Sequence, residues 1–147
     1  MTRIEESQQL RKKSGEFLEL AEISMERNLH SLVLFNVEQS LQLLLKSKLL
    51  EGGSDFPHTH SVKRLLEILS DISPDVCRNS IIALTEKYLL ELGLIEDSYI
   101  NSRYGGRDYE KSEVEKVFAG AREIMSVPAH PHPNARSPGN RRTSPGL

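Results

Sequence analysis

Glu38, Gln39, Gln42 and Lys46 stand among leucines. At roughly 100° per residue they share one ~100° sector of a helix. Such residues can form an intrahelical Glu38–Gln42–Lys46 ladder, worth about 0.2–0.5 kcal/mol per pair, or a polar line facing a cleft or a partner subunit. A second cluster runs from Tyr99 to Tyr109, with Arg103, Tyr104, Gly105, Gly106 and Arg107 between. A guanidinium takes a phosphate through two parallel hydrogen bonds and a phenol ring stacks on a base, so this stretch suits nucleotide recognition. Alternatively it is a packed loop whose hydroxyls and arginines satisfy helix carbonyls. A third cluster, Phe56-Pro57-His58-Thr59-His60-Ser61, carries a His-x-His pair that could bind zinc with His130 or His132. Zinc sites use three or four ligands in fixed geometry, and the distant pair lies in a segment predicted to be coil, so no metal site is expected. His60 or Thr59 is expected to cap the next helix, leaving an imidazole open to an anion at that helix N-terminus.

The elements that must position these groups read as five helical patterns. The first spans about residues 5–27, with Leu10, Phe17, Leu20, Ala21 and Ser24 on one face and Asn28 as its stop. The second, about 30–51, is apolar around most of its circumference, which suits a bundle centre or a subunit interface. Gly52-Gly53 ends it. The third shows Val62, Leu65, Leu66 and Leu69 at i, i+3, i+4 and i+7. The fourth is predicted to start at Ser73-Pro74-Asp75, cap residue then proline. It continues to about Asp97 through Ile81, Leu84, Tyr88, Leu92 and Ile95. The last opens on a Ser112–Glu115 capping box and presents Val114, Val117, Phe118, Ala121 and Met125. The expected fold is all-α, an antiparallel four- to five-helix up-and-down bundle.

Composition agrees. The chain has 147 residues, 37% hydrophobic and 27% charged, with no Trp, enough for one domain. No apolar run exceeds four residues, as at Leu32–Phe35, far short of the ~20 residues of a membrane span. The N-terminal residues lack the apolar stretch of a signal peptide. Cys77 is the single cysteine, which excludes an internal disulfide. A cytoplasmic protein is expected. Residues 127–147 hold Arg136, Arg141 and Arg142, no acid, and five of the seven prolines. They carry a formal +3 against −5 for the rest. Such a segment buries too little apolar area to offset its ordering entropy. The predicted division is therefore 1–126, the bundle, and 127–147, a disordered tail. The acidic body makes a poor general nucleic-acid binder.

The Phe17-Leu18-x-x-Ala21-Glu22 opening, the Val37-Glu38-Gln39-x-x-Gln42-x-x-x-Lys46 stretch, Thr59-His60-Ser61-Val62-x-x-Leu65-Leu66 and Tyr99-x-x-x-Arg103-Tyr104 follow one another in the right order. Together, over about residues 8–125, they resemble the HEPN domain (higher eukaryotes and prokaryotes nucleotide-binding). The resemblance implies a helical bundle that commonly dimerises and is often paired with a minimal nucleotidyltransferase in toxin–antitoxin-like systems. Many such proteins are metal-independent ribonucleases with an Arg-x4-6-His motif, in which the His carries the proton. Here the positions that should hold His are Asp108, Tyr109 and Glu110 counted from Arg103, and Ser112, Glu113 and Val114 counted from Arg107. The expected proton carrier is missing.

The expected function is thus a non-catalytic HEPN module without a cofactor. In this reading it is a homodimer whose second helix supplies interface apolars and which binds a nucleotide-like ligand or docks a nucleotidyltransferase. Glu38, Gln42, Lys46, Tyr99, Arg103 and Tyr104 are the expected ligand-binding residues, and no catalytic residue is assigned. The alternatives are a divergent ribonuclease acting on RNA, with Tyr109 or His60 replacing the missing His, and a purely structural dimeric adaptor.

Overall fold

The computed structural model describes residues 1–104 and 108–128, the side chains of 101–104 excepted. Six helices and no strand occur among them: α1 (Arg3–Glu26), α2 (His30–Glu51), α3 (Val62–Ile72), α4 (Asp75–Lys87), α5 (Leu89–Tyr104) and α6 (Lys111–Ser126). The all-α bundle expected from the sequence is what forms. None of the described helices is long and apolar enough to cross a membrane. Of the predicted tail, Val127 is described and packs against the core, so the bundle reaches past 126; residues 129–147 lie outside those described.

α1 begins with a capping box: Thr2 Oγ1 accepts from the Glu5 amide, and Glu5 Oε1 accepts from the Thr2 amide. It stops at Asn28, whose φ of 58° turns the chain into α2. The face of α1 against α2 differs from the expected one. Ser7, Ser14, Ala21 and Ser24 are buried, whereas Leu20 is left exposed. The reason is close approach. Ser14 Oγ donates to the Ser40 carbonyl and Ser40 Oγ to the Ser14 carbonyl, at 2.7 and 2.8 Å. Ser7 and Ser47 repeat the exchange, at 3.2 and 3.0 Å. Serines reaching the neighbour's backbone leave no room for leucine at these positions.

α2 is the axis of the bundle and touches α1, α3, α5 and α6. Val33, Leu34, Val37, Leu41 and Leu49 are fully buried within the chain, and Leu45 nearly so. The apolar circumference expected to meet a partner subunit is therefore largely covered by the chain's own helices. Gly53, at φ 85°, carries the turn after α2.

The predicted fourth helix is two. α4 and α5 part at Tyr88, where φ is −110° and ψ 27°. Helical bonds still run across the junction, from the Tyr88 amide to the Leu84 carbonyl and from the Leu92 amide to the Tyr88 carbonyl. There the Tyr88 ring lies against Gly120 of α6, where a Cβ would stand 2.7 Å from the ring. The expected Ser73 cap of α4 is not made. Its hydroxyl donates backwards to the Leu69 carbonyl at the end of α3, and Arg78 closes that end by donating to the carbonyls of Ser70 and Ser73. α6 starts earlier than predicted, its reciprocal cap lying between the Glu110 amide and Glu113 Oε1 at 3.0 Å.

Candidate functional site

The ladder on α2 exists and has a direction. Glu38 is fully buried, and its carboxylate accepts from Gln39 Nε2 and Gln42 Nε2, both at 2.7 Å. With its NH2 committed to Glu38, Gln42 turns its oxygen outward and accepts from Lys46 Nζ at 3.0 Å. A neutral amide thus stands between the acid and the base. No described cation bonds Glu38 directly. Desolvation raises its pKa above the ordinary value, the two amide bonds and Lys46 opposing that rise while Glu96 adds to it. Lys46, half-buried with its ammonium 5.2 Å from the Phe56 ring centroid, has its pKa lowered by burial.

The start of α3 lies beside this line. Ser61 is the N-cap, its Oγ accepting from the Arg64 amide at 3.1 Å, so neither His60 nor Thr59 caps the helix as expected. Thr59 Oγ1 instead accepts from the Ser61 amide. The anion position at this N-terminus is already filled: Glu96 of α5 accepts from Ser61 Oγ at 2.8 Å and from the Lys63 amide at 2.9 Å. His60 stacks on Tyr99, ring centroids 4.6 Å apart and planes at 23°, with the phenol oxygen 3.4 Å from Nε2.

Of the expected ligand residues, Glu38, Gln42 and Lys46 are bonded in sequence, and Tyr99 stands on α5 three residues after Glu96. Arg103 and Tyr104 close α5, one turn beyond Tyr99. Their side chains lie outside the described residues. Glu96 is the member that sequence reasoning missed, although it was legible: positions 96, 99 and 103 follow the i, i+3, i+7 pattern of one helix face. It joins the elements, bonding α3 while bearing electrostatically on Glu38 of α2.

His30, at the start of α2, was likewise missed. Its Nδ1 lies 2.9 Å from the Tyr109 carbonyl, so that nitrogen carries the proton. Its Nε2 is the buried polar side-chain atom without a partner among the described residues. Tyr109 itself is buried, 5% exposed. No group of three or more His, Cys, Asp or Glu side chains that could hold a metal gathers among the described residues.

Comparison with known proteins gives one result. The family model of the HEPN domain matches residues 7–130. No curated protein and no solved structure matches the chain.

Proposed function

The chain belongs to the HEPN domain family, and from that premise we propose that it is a non-catalytic HEPN module that binds a nucleotide-like ligand as a homodimer. In the same proposal it serves in the cytoplasm as the docking partner of a minimal nucleotidyltransferase, in a toxin–antitoxin-like pair. The observation carrying the reading is the burial of Glu38 in the most apolar helix, where two amide N–H groups and no described cation meet its carboxylate. A bundle gains nothing from an acid in the middle of its most buried helix, where leucine would pack without desolvation cost. Lys46 brings a cation to the outer end of the Glu38–Gln42–Lys46 line, and the half-buried Tyr99, stacked on His60, offers a ring face on α5. Arg103, one turn along α5, is the phosphate clamp in this reading. Because Glu96 occupies the α3 N-terminus, the phosphate is assigned to Lys46 and Arg103, not to that helix end.

Calorimetric titration of the full chain with ATP, GTP and their monophosphates tests this. Binding by the wild type that Arg103→Ala abolishes is the expected result. No heat with any of the four, or equal binding by the variant, overturns the nucleotide assignment.

One observation favours a second reading, the divergent ribonuclease. His60 is exposed and stacked on Tyr99, which stands one turn before Arg103, whereas Tyr109 is buried. Of the two candidates for the missing proton carrier, His60 is the accessible one. Cleavage of labelled RNA in EDTA, lost in both Arg103→Ala and His60→Ala, would establish it over the first.

A further inference from the structure

The orientation of the Gln42 amide is set by the charge of its neighbours. It gives its NH2 to the Glu38 carboxylate at 2.7 Å and its oxygen to Lys46 Nζ at 3.0 Å. An ionised carboxylate has no donor and an ammonium no acceptor, so an ionised Glu38 permits only this orientation. A protonated Glu38 carries an O–H that needs an acceptor in its buried setting. Gln42 supplies one by turning its amide over. Its oxygen then accepts from the acid, while Gln39 Nε2 keeps its bond to the other carboxyl oxygen. The Gln42 NH2 now faces Lys46, and two donors converge where a donor and an acceptor stood. An ammonium beside an amide N–H suits an oxyanion, and Lys46, only half-buried, keeps this end of the ladder within reach of solvent.

We propose that the ladder is a proton-coupled anion switch, in which a phosphate or sulfate group held by Lys46 and the reversed Gln42 amide is accompanied by one proton on Glu38. The inference rests on the assignment of phosphate to Lys46 in the proposed function, and names the regulation of that site. With Glu38 ionised, Gln42 turns a carbonyl oxygen toward the anion, and the carboxylate behind it repels the same charge. With Glu38 neutral, both objections vanish. Linkage makes the effect reciprocal: the proton favours the anion and the anion favours the proton. The charged groups bearing on Glu38 are Lys46 of its own helix and Glu96 of α5. The buried faces of α1, α3 and α6 hold only serine, glycine and apolar residues. Desolvation already favours the neutral acid.

Calorimetry of the full chain with sodium sulfate between pH 5 and 9 is the test. Sulfate does not titrate in that range, and paired buffers of high and low ionisation enthalpy count the protons taken up. Where Glu38 is ionised in the free protein, uptake should approach one proton per anion. Affinity should fall there by up to about tenfold per pH unit. Glu38→Gln places an amide N–H where the neutral acid has its O–H. It should therefore bind without proton uptake and keep its affinity at high pH. The proton count is made on the wild type, so it decides the matter even if Glu38→Gln fails to fold. Sulfate binding without uptake, or a variant that shares the wild-type pH dependence, overturns the switch. The same titrations with ATP, GTP and their monophosphates separate it from the nucleotide reading. The phosphate's own proton cancels when wild type and Glu38→Gln are compared. Nucleotide bound with equal pH dependence by both proteins overturns the switch and spares that reading. Proton-coupled sulfate binding with no nucleotide bound does the reverse, and no binding of any of these anions overturns both.

Discussion

A carboxylate sealed among leucines is costly to ionise, and Glu38 is stabilised by two amide N–H groups and, through Gln42, by a cation at one remove. Its pKa is raised from the ordinary 4.5, chiefly by desolvation. The sign of the linkage follows. The unfolded chain releases this proton near 4.5 while the folded chain still holds it, so the unfolded state gains as pH rises above that value. The contribution of Glu38 is complete below 4.5 and declines until the folded pKa is reached, by at most about 1.4 kcal/mol per pH unit. Glu38→Gln removes this decline. Denaturant unfolding of both proteins between pH 4 and 8 should show the wild type losing ground to the variant as pH rises. A constant difference would refute the raised pKa. At this scale the intrahelical bonds of Glu38, Gln42 and Lys46 were legible, because an i, i+4 spacing inside one helix fixes its own geometry. Glu96 and His30 act across elements, Glu96 on the start of α3 and His30 on the Tyr109 carbonyl. Contacts of that kind need the packing before they can be read.

Among the elements, the α4–α5 junction depends on a missing side chain. Tyr88 sets the Cδ1–Cε1 side of its ring against Gly120, and its hydroxyl donates to Glu123 one turn along α6. Gly120→Ala drives a methyl into the Cδ1 edge of the ring, which α6 and the junction must yield to accommodate. The expected cost is about 1–3 kcal/mol, read as a lowered midpoint in thermal unfolding and partly restored by Tyr88→Leu. A melting temperature equal to that of the wild type would mean the junction shifts freely. Helix positions were legible from apolar periodicity nearly throughout, yet this break was not. Leu84, Tyr88 and Leu92 keep the i, i+4 rhythm straight across it, and the backbone bonds continue as well. The caps of α4 and α6 were misread for a related reason. Ser73 and Ser112 are good cap residues by type, but Ser73 is bound to the end of α3, and the acid pair Glu110–Glu113 starts α6 sooner.

For the molecule as a whole, the bundle closes where α6 runs out. Val127 packs against the core, and its carbonyl accepts from Lys48 Nζ at 3.3 Å. A chain ending at residue 128 keeps these contacts; one ending at 126 loses them. The shorter chain should melt about 4 °C lower, as for a loss of about 1 kcal/mol, and the longer one at the temperature of the full chain. Equal melting of all three would place the boundary before Val127. The bundle was legible because its aliphatics are periodic; the tight α1–α2 hairpin was not, because serine carries no strong helical signal. That hairpin constrains the lineage of this protein. Ser14 faces Ser40 and Ser7 faces Ser47, each hydroxyl lodged on the opposite backbone. Neither partner can grow without the other shrinking, so drift at these positions must come in matched pairs. Descendants that exchange Ser14 for alanine or glycine are the ones in which position 40 is free to enlarge.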